Sequence, residues 1–444
     1  MGRNQPMISS KVKRKLLVLY SSASAACGIG TWIENLNETL PLYGWDLVVG
    51  LAWGRKFNDP QQVEQLRPRL SIVRMDGRTG TVEGRVRAIE KTIRTVDPDI
   101  VMLTCLDDAF EAVRRLRCNG QSFKLMVVNH GNRPEQAACL LQHLDLIDMA
   151  ICVSRFSFLA MSNVKEHFEK KRLCHAPNAV PLQNVKKKRI LNRFCVGYAG
   201  RLDVDKRAVD LLPFFQELNK ICPDAEFWVA GQGERADEIT TLASRFPGRV
   251  KYFGQLTTPE LNTTFYPSLD VLIHFSPSEA WGYSIAEAMS FGAVPVVSDF
   301  RGRKIDELVI GRQTGMVFPV GNVKAAAEVV SELFESPDYH QKMSVNAREH
   351  IEQNYSLKKF GEAWAQTLSL CCSLPVLTIQ KQTEVRSEKR RWMVGEGFLE
   401  SMRSLLRRRV PHASPGEEWP HFKCKSPSLL NQITTIMATL YEAE

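Results

Sequence analysis

Residues 271–297 read VLIHFSPSEAWGYSIAEAMSFGAVPVV and contain a complete strand–loop–helix–strand pattern. The apolar run Val271–Phe275 is continuous rather than alternating, as is typical of a parallel strand buried on both faces. A loop holding Gly282 follows, a helix opens at Ser284, and Val294–Val297 is a second apolar run. Parallel strands need a crossover between them, usually a helix. The stretch therefore predicts an α/β fold.

The same rhythm of apolar run, turn and amphipathic stretch extends along the chain on both sides of this unit. The other apolar runs are Leu16–Tyr20, Leu47–Leu51, Ile100–Leu103, Leu125–Val128 and Met149–Val153 in the first half, and Phe194–Ala199, Glu226–Ala230 and Val250–Phe253 in the second. Strands that alternate with helices in two successive sets indicate two doubly wound, Rossmann-like parallel-sheet domains. We expect them to face each other across a cleft, where ligands commonly bind.

A change in composition separates the two halves. Pro177–Pro181 ends the first half, and the basic run Lys186–Arg189 reads as a solvated linker. We predict an N-terminal domain over residues 1–180, a C-terminal domain over 193–352, a return helix over 353–373 that packs towards the N-terminal domain, and an accessory basic tail over 374–444. In this tail, Phe398, Met402 and Leu405 have helical spacing beside Arg407–Arg409. This short basic amphipathic helix either packs on the body of the protein or contacts a membrane surface.

Composition narrows the class of protein. The 444 residues are 44% hydrophobic and 24% charged, which excludes a disordered, collagen-like or coiled-coil chain. A formal charge of +9 suits anionic partners such as phosphates, nucleotides or acidic lipids, but the basic residues are scattered, which argues against a nucleic-acid binder. No two of the eleven cysteines have the two-residue spacing of a zinc site, and many lie in apolar runs, so we expect reduced, buried thiols in a cytosolic protein. The start lacks a signal-peptide apolar region, and we expect no membrane-spanning helix.

The loop and helix after Val271–Phe275 have the features of an anion site. Free N–H groups and the helix dipole point outward at the start of a helix, and Gly282 lets the backbone approach a ligand. Glu279 and Glu287 lie eight positions apart, so both can flank one bound molecule. The alternative interpretation is that Glu279 is a solvated loop acid and Glu287 a first-turn acid that favours the dipole.

A second segment carries two cations. The turn Gly197–Lys206 directly follows the first strand of the second domain, and its Arg201 and Lys206 suit a diphosphate, the first as a fork and the second as a point charge. The alternative for Arg201 is a surface or interdomain ion pair. The chain has no Gly-x-Gly-x-x-Gly fingerprint in these turns and no Gly-Lys-Ser/Thr phosphate loop, which argues against a dehydrogenase or an ATPase.

Together these residues resemble the family 4 retaining glycosyltransferases of GT-B fold. Glu279 and Glu287 match the signature of two glutamates separated by seven residues, and Gly200, Arg201 and Lys206 match the diphosphate clamp. Further matching pieces, in the right order, are Pro177–Val180, Val229–Gly233, Val250–Gly254 and Ala288–Val297. The resemblance covers about residues 16–373, and the tail has no counterpart in it.

The resemblance implies roles for individual residues. Arg201 and Lys206 would neutralise the departing donor diphosphate, and Glu287 would bind the ribose hydroxyls. Glu279 would contact the donor sugar. The remaining residues that the resemblance assigns to the donor are Trp281, Gly282 and Tyr283 through their backbone amides, Ser284 and Ile285 at the distal phosphate, Gly28 or Gly30 as the glycine of close backbone approach, and His130 near the sugar. As a lone residue, His130 would be a histidine with satisfied hydrogen bonds at a strand end.

The resemblance therefore implies retaining transfer of a sugar from a nucleotide-diphosphate sugar to a glycan or lipid-linked glycan. We expect no metal and no cofactor, since Asp203 and Asp205 read as part of a turn and the cations replace a metal. The alternatives are a GT-B module that binds nucleotide or sugar without turnover, or within a larger complex, and a nucleic-acid-binding protein. We expect a cytoplasmic protein, and a peripheral position on the inner face of a membrane stays open because of the tail and the basic residues Arg55, Lys56, Arg67 and Arg69.

Overall fold

The computed structural model describes residues 13–23, 27–164, 172–182, 193–375, 377, 396–406 and 409–442. The predicted linker Lys186–Arg189 lies outside these residues, as do Arg407 and Arg408 of the tail. Within the described chain, none of the helices combines the length and the apolar character that crossing a bilayer requires.

A parallel sheet of seven strands forms the first half. Its strands are β1 (Arg14–Tyr20), β2 (Trp45–Trp53), β3 (Ile72–Asp76), β4 (Ile100–Leu103), β5 (Lys124–Asn129), β6 (Met149–Cys152) and β7 (Leu173–His175). Their spatial order is β3–β2–β1–β4–β5–β6–β7. Leu17 and Leu19 of β1 enter the hydrophobic cluster on one face of the sheet, and Leu16 and Val18 enter the cluster on the other. Burial on both faces explains why these strands are continuous apolar runs.

A second parallel sheet of six strands forms the other half. Its strands are β8 (Cys195–Ala199), β9 (Glu226–Ala230), β10 (Val250–Tyr252), β11 (Val271–His274), β12 (Val294–Ser298) and β13 (Met316–Phe318), in the order β10–β9–β8–β11–β12–β13. The chain runs outward from β8 to β10 and then returns to β11, so a crevice opens between β8 and β11 where the strand order reverses. The predicted fold of two Rossmann-like parallel-sheet domains is confirmed.

Helices cover both faces of each sheet. In the first half they are α1 (Gly28–Thr39), α2 (Pro60–Leu66), α3 (Val82–Val96), α4 (Asp108–Cys118), α5 (Pro134–Gln142) and α6 (Arg155–Ser162); in the second half they are α7 (Leu211–Ile221), α8 (Ala236–Arg245), α9 (Thr258–Glu260), α10 (Tyr283–Ser290), α11 (Arg303–Asp306), α12 (Val323–Glu335), α13 (Pro337–Asn354) and α14 (Leu357–Ser373). The last of them, α14, returns to the first half, where Phe360 and Trp364 are buried in the same cluster as Leu16. Helix α14 lies within the range 353–373 of the predicted return helix.

The tail packs on the first half through three helices, α15 (Glu396–Leu405), α16 (Pro415–Glu418) and α17 (Pro427–Glu442). Helix α15, the predicted amphipathic helix, contacts α3, and its Glu400 accepts a hydrogen bond from Thr81 Oγ1 at 2.6 Å. Leu399 and Leu405 nevertheless stay partly exposed. Helix α17 packs against α5 and α6 and buries Ile433 and Met437 completely. The apolar residues of α17 therefore extend the core of the first half.

Residues 418–424, which we call the strap, cross the carboxyl ends of the first sheet. The strap pairs with the segment after β4: the Asp107 amide donates to the Pro420 carbonyl at 2.9 Å, and the Phe422 amide to the Cys105 carbonyl at 2.8 Å. Trp419 is 1% exposed and lies so close to Gly77 that a Cβ there would meet its ring at 2.5 Å. The strap thus shapes the loops that follow the strands.

A single carboxylate joins the strap to the loop after β2. Glu418 is 2% exposed and accepts four backbone N–H bonds, from residues 55–58, at 2.6–2.9 Å, plus one from Asn58 Nδ2 at 3.1 Å. Burial would raise the pKa of Glu418, but these donors hold it below its ordinary value. The ionised carboxylate therefore orders a whole loop.

We expect Glu418→Ala to loosen this loop. Leaving several buried donors unpaired should lower the opening free energy of amides 55–58 by about 2–4 kcal/mol. Hydrogen exchange measured by mass spectrometry checks this. The neighbouring Glu417 accepts one exposed N–H bond, from Ala413, so Glu417→Ala should change exchange at 55–58 by less than about 0.5 kcal/mol. Equal protection of the loop in both variants would show that Glu418 does not hold it.

Candidate active site

Direct hydrogen bonds join the two halves beside the crevice. Asn132 Nδ2, in the loop after β5, donates to the Glu279 carbonyl at 2.6 Å. Asp306 of α11 accepts from Ser154 Oγ at 2.8 Å and from the Arg155 amide at 2.5 Å. The loops at the carboxyl ends of both sheets therefore face each other, and the predicted site residues lie in these loops or in the helices that follow them.

The loop after β11 turns into α10 through Gly282, whose φ of 91° is in the left-handed region that favours glycine. Helix α10 begins at Tyr283, one residue earlier than predicted. Ile285 is fully buried and fixes the first turn, and the amides of both Ile285 and Ala286 donate to the Gly282 carbonyl at 3.1 Å. Since the first N–H groups of a helix lack partners within it, Tyr283 and Ser284 present donors at this end.

Lys206 and Glu279 pair at the crevice. Lys206 ends a short turn after β8, and Glu279 follows the adjacent strand β11. Lys206 Nζ donates to Glu279 Oε1, which also lies 3.1 Å from His274 Nε2, and the two side chains are 25% and 11% exposed. Burial would raise the pKa of Glu279, but Lys206 and His274 lower it well below its ordinary range. The carboxylate is therefore ionised at neutral pH.

Arg201 pairs with the two acids that the sequence places in the turn. Its guanidinium donates to Asp203 and Asp205 at 2.5 Å each and is half-exposed. Arg133 of the first half comes within 4.0 Å of the same Asp205 carboxylate. In the free protein, the guanidinium of Arg201 therefore forms a surface ion pair, and its predicted part in a diphosphate clamp stays a prediction.

Glu287 lies in α10 with a hydrogen bond from Tyr266 Oη at 2.7 Å. Burial raises the pKa of this carboxyl to about 7, although Tyr266 and the positive charge of Arg67 act in the opposite direction.

Arg67 was grouped in the sequence analysis with basic residues that could face a membrane, and this is wrong. It is only 5% exposed, it pairs with Glu34, and a Cβ on Gly30 would lie 2.6 Å from its guanidinium.

Gly28 is the glycine of closest approach between the halves. It opens α1, and a Cβ there would lie 2.8 Å from Cδ2 of Tyr283 in α10. The Tyr283 hydroxyl has no hydrogen-bond partner among the described residues. The N-termini of α1 and α10 can approach this closely because residue 28 has no side chain that would overlap the Tyr283 ring.

His130 follows β5 with its ring packed edge-on against Trp32, at a centroid distance of 4.6 Å. Burial lowers the pKa of His130 to about 3, so the imidazole is neutral. Its Nε2 finds no hydrogen-bond partner in the described parts of the chain, nor does the buried Trp281 Nε1. The satisfied histidine of the alternative interpretation is therefore not what the structure contains.

Sequence reasoning missed several residues of this region. His274, Asn132, Tyr266 and Arg67 each contact or influence a predicted site residue. His274 ends β11, and a polar residue at the carboxyl end of a buried parallel strand is a signal that could have found it. The other three depend on contacts between distant segments and leave no local pattern.

Comparison with known proteins gives a family match within the second half. Residues 182–350 match the family described as glycosyl transferases group 1. The chain is 26% identical over 171 residues to glycogen synthase of Mycobacterium tuberculosis and 26% identical over 180 residues to alpha-D-kanosaminyltransferase of Streptomyces kanamyceticus. These matches cover 38% and 39% of this chain and 41% and 45% of the relatives, so the chain spans less than half the length of the curated relatives it matches.

Solved structures resemble a larger part of the chain. Sucrose-phosphate synthase of Thermosynechococcus elongatus superposes with a TM-score of 0.65 and 16% identity, and Anabaena HepE, solved with UDP and glucose, with a TM-score of 0.64 and 17% identity. Both alignments cover 80% of this chain and 98–99% of the neighbour. They establish the GT-B fold over the part of this chain that each alignment covers.

We expect Gly28→Ala to destabilise the contact between the halves by about 1–3 kcal/mol, because the new methyl group overlaps the Tyr283 ring. A double-mutant cycle with Tyr283→Ala, followed by urea denaturation, measures this. The cost of Gly28→Ala should largely disappear once Tyr283 is removed. Gly416→Ala is the control, since a Cβ there meets nothing within 4 Å. An undiminished cost in the Tyr283→Ala background would contradict the contact.

Proposed function

We propose that this chain, whose residues 182–350 match the family model of the glycosyl transferases group 1, transfers a sugar from a nucleotide-diphosphate sugar to a carbohydrate acceptor. The observation that carries the proposal is the Lys206 ammonium, held by Glu279 beside the N-terminus of α10. An ammonium held in place by a carboxylate and free helix N–H groups together form a site for a diphosphate. Further support comes from HepE, a fold neighbour solved with UDP and glucose.

The chemistry assigned to Lys206 is stabilisation of the leaving group. When the bond between the sugar and the diphosphate breaks, negative charge grows on the diphosphate oxygens, and a fixed cation lowers the energy of that transition state. An ammonium has three N–H donors, so Lys206 can bind a phosphate oxygen while it keeps Glu279. Arg201 adds a second cation if the phosphate displaces one of its carboxylate partners. These cations are the basis for proposing transfer without a metal ion.

Protonation states assign different parts to the remaining residues. Glu279 is ionised, so it accepts hydrogen bonds from sugar hydroxyls and cannot donate a proton at neutral pH. His130 is neutral, and its free Nε2 is available to the donor sugar. Glu287 accepts from the ribose hydroxyls. Retention of the anomeric configuration rests on the family 4 resemblance.

We infer that the acceptor binds on the side of the first half. The loops after β2, β3 and β4 and the strap that covers them lie at the carboxyl ends of the first sheet, opposite the α10 side of the cleft. We propose a glycan or lipid-linked glycan as the acceptor because enzymes of the family that the sequence resembles transfer sugars to such acceptors.

Turnover of a panel of nucleotide sugars, measured by release of the nucleoside diphosphate, tests the function. We expect one donor to turn over with an unchanged initial rate when Mg²⁺ or Mn²⁺ is added. Lys206→Ala should lower kcat by about 10²–10³ with a smaller effect on donor KM. The exposed Lys220, paired with Glu217 on α7, gives the control Lys220→Ala, which should keep full activity.

The outcomes of this assay separate the alternatives. Tight nucleotide binding without hydrolysis or transfer would indicate a binding module. Strict dependence on Mn²⁺ would contradict metal-independent transfer, and full activity of Lys206→Ala would contradict the assignment of the leaving-group cation.

We expect nucleotide affinity to depend on pH through Glu287. Ribose hydroxyls donate to its ionised form, so protonation near its pKa of about 7 removes acceptors. Between about pH 8 and about pH 6, the Kd of the nucleoside diphosphate should therefore rise, by at most about tenfold per pH unit. Calorimetry measures this, and Glu287→Gln should bind more weakly at high pH and without the pH dependence. Equal pH dependence in wild type and Glu287→Gln would rule out this carboxyl as the cause.

A further inference from the structure

Three potential metal ligands come together beneath the strap, outside the cleft between the sheets. They are Asp107, which precedes α4, and Cys139 and His143, at the end of α5. One ligand atom from each lies within 4.8 Å of the other two. Cys139 and His143 are four positions apart, a spacing that places both side chains on one side of a helix. A carboxylate, a thiol and an imidazole, all common zinc ligands, are therefore brought together from two segments of the chain.

The spacing of the ligand atoms fits a tetrahedral ion. Cys139 Sγ lies 3.8 Å from Asp107 Oδ1. Tetrahedral bonds of about 2.3 Å to sulfur and about 2.0 Å to oxygen place those two atoms about 3.5 Å apart. A movement of a few tenths of an ångström is sufficient for this pair, and the ligand atom of His143 lies within 4.8 Å of both. We propose that Asp107, Cys139 and His143 bind one Zn²⁺ ion.

The protons and charges balance on binding. The Cys139 thiol donates to Asp107 in the free protein, and Zn²⁺ replaces that proton, which leaves to solvent. No electron is transferred. The Cys139 thiolate and the Asp107 carboxylate then cancel the two charges of the ion, so the complex is neutral beside Lys425. A neutral imidazole of His143 would bind through a ring nitrogen lone pair and release no proton.

The surroundings of the cluster hold its ligands in place. The His143 ring stacks on Phe110 at a centroid distance of 4.0 Å. The side-chain nitrogen Nε2 of Gln142 lies 3.2 Å from Nε2 of His143. The Lys423 amide of the strap donates to Asp107 Oδ1 at 3.3 Å. Such outer contacts orient metal ligands. A bound ion would therefore tie the strap to α4 and α5.

A fourth donor is available from the strap. The thiol of Cys424 lies 3.8 Å from Gln142 Oε1, and the nitrogen of the same side-chain amide contacts the ring of His143. A change of rotamer would bring Cys424 towards the ion, and water can otherwise take the fourth position. The site is structural and separate from Lys206 and Glu279, so it does not alter the proposal of metal-independent transfer.

Zinc content and affinity of the full chain test the proposal. We expect one equivalent of Zn²⁺ per chain by elemental analysis, with its Kd measured by competition with a chromophoric chelator. His143→Phe keeps an aromatic ring on Phe110 but removes the nitrogen, and it should weaken zinc binding by at least about 100-fold. Cys118→Ser, in α4 and outside the cluster, is the control and should bind as wild type does.

Cobalt substitution gives a readout that a purely structural role of these side chains would not produce. With Co²⁺ in place of zinc, the wild type and Cys118→Ser should have a thiolate-to-cobalt charge-transfer band. The band should be weaker in Cys139→Ser and absent when Cys424 is also replaced by Ser. If Cys139→Ser fails to fold by circular dichroism, Asp107→Asn replaces it and should weaken Zn²⁺ binding while the fold is kept. Wild type without stoichiometric zinc, or His143→Phe with unchanged affinity, would overturn the site.

Discussion

The ion pair between Lys206 and Glu279 depends directly on how the second sheet is wound. The two residues follow β8 and β11, strands that are neighbours in space but separated along the chain by β9 and β10. The reversal of strand order at this point opens the crevice and brings the cation and the carboxylate to its mouth. His274 and Lys206 keep Glu279 ionised. The ammonium of Lys206 therefore has a charged partner in the free protein and remains available to an incoming anion.

The first half contributes shape to the cleft in addition to the positive charge of Arg67. Gly28 allows α1 to approach Tyr283, and Asn132 holds the backbone of the loop that carries Glu279. The strap adds a second layer behind these loops, with Glu418 as its main polar contact and Trp419 as its main apolar one. In this GT-B fold, the loops after the strands of the first sheet are therefore ordered by the C-terminal strap.

The sequence predicts most of the two sheets, because strands buried on both faces are continuous apolar runs. It misses β3, where the exposed Arg74 interrupts the run, and the three-residue strands β7 and β13. Lys206 and Glu279 were predicted near one ligand because motif order carries that information. The burial of Arg67 was not predicted because it depends on an ion pair with Glu34, which lies in the distant helix α1. The role of Glu418 could not be predicted, since its partners are backbone amides that any sequence possesses.

A crystal structure of the full chain with a nucleoside diphosphate would test the central claim most directly. The account predicts a phosphate oxygen within hydrogen-bonding distance of Lys206 Nζ, and the distal phosphate at the first N–H groups of α10. A diphosphate bound elsewhere, with Lys206 still contacting Glu279 alone, would contradict it.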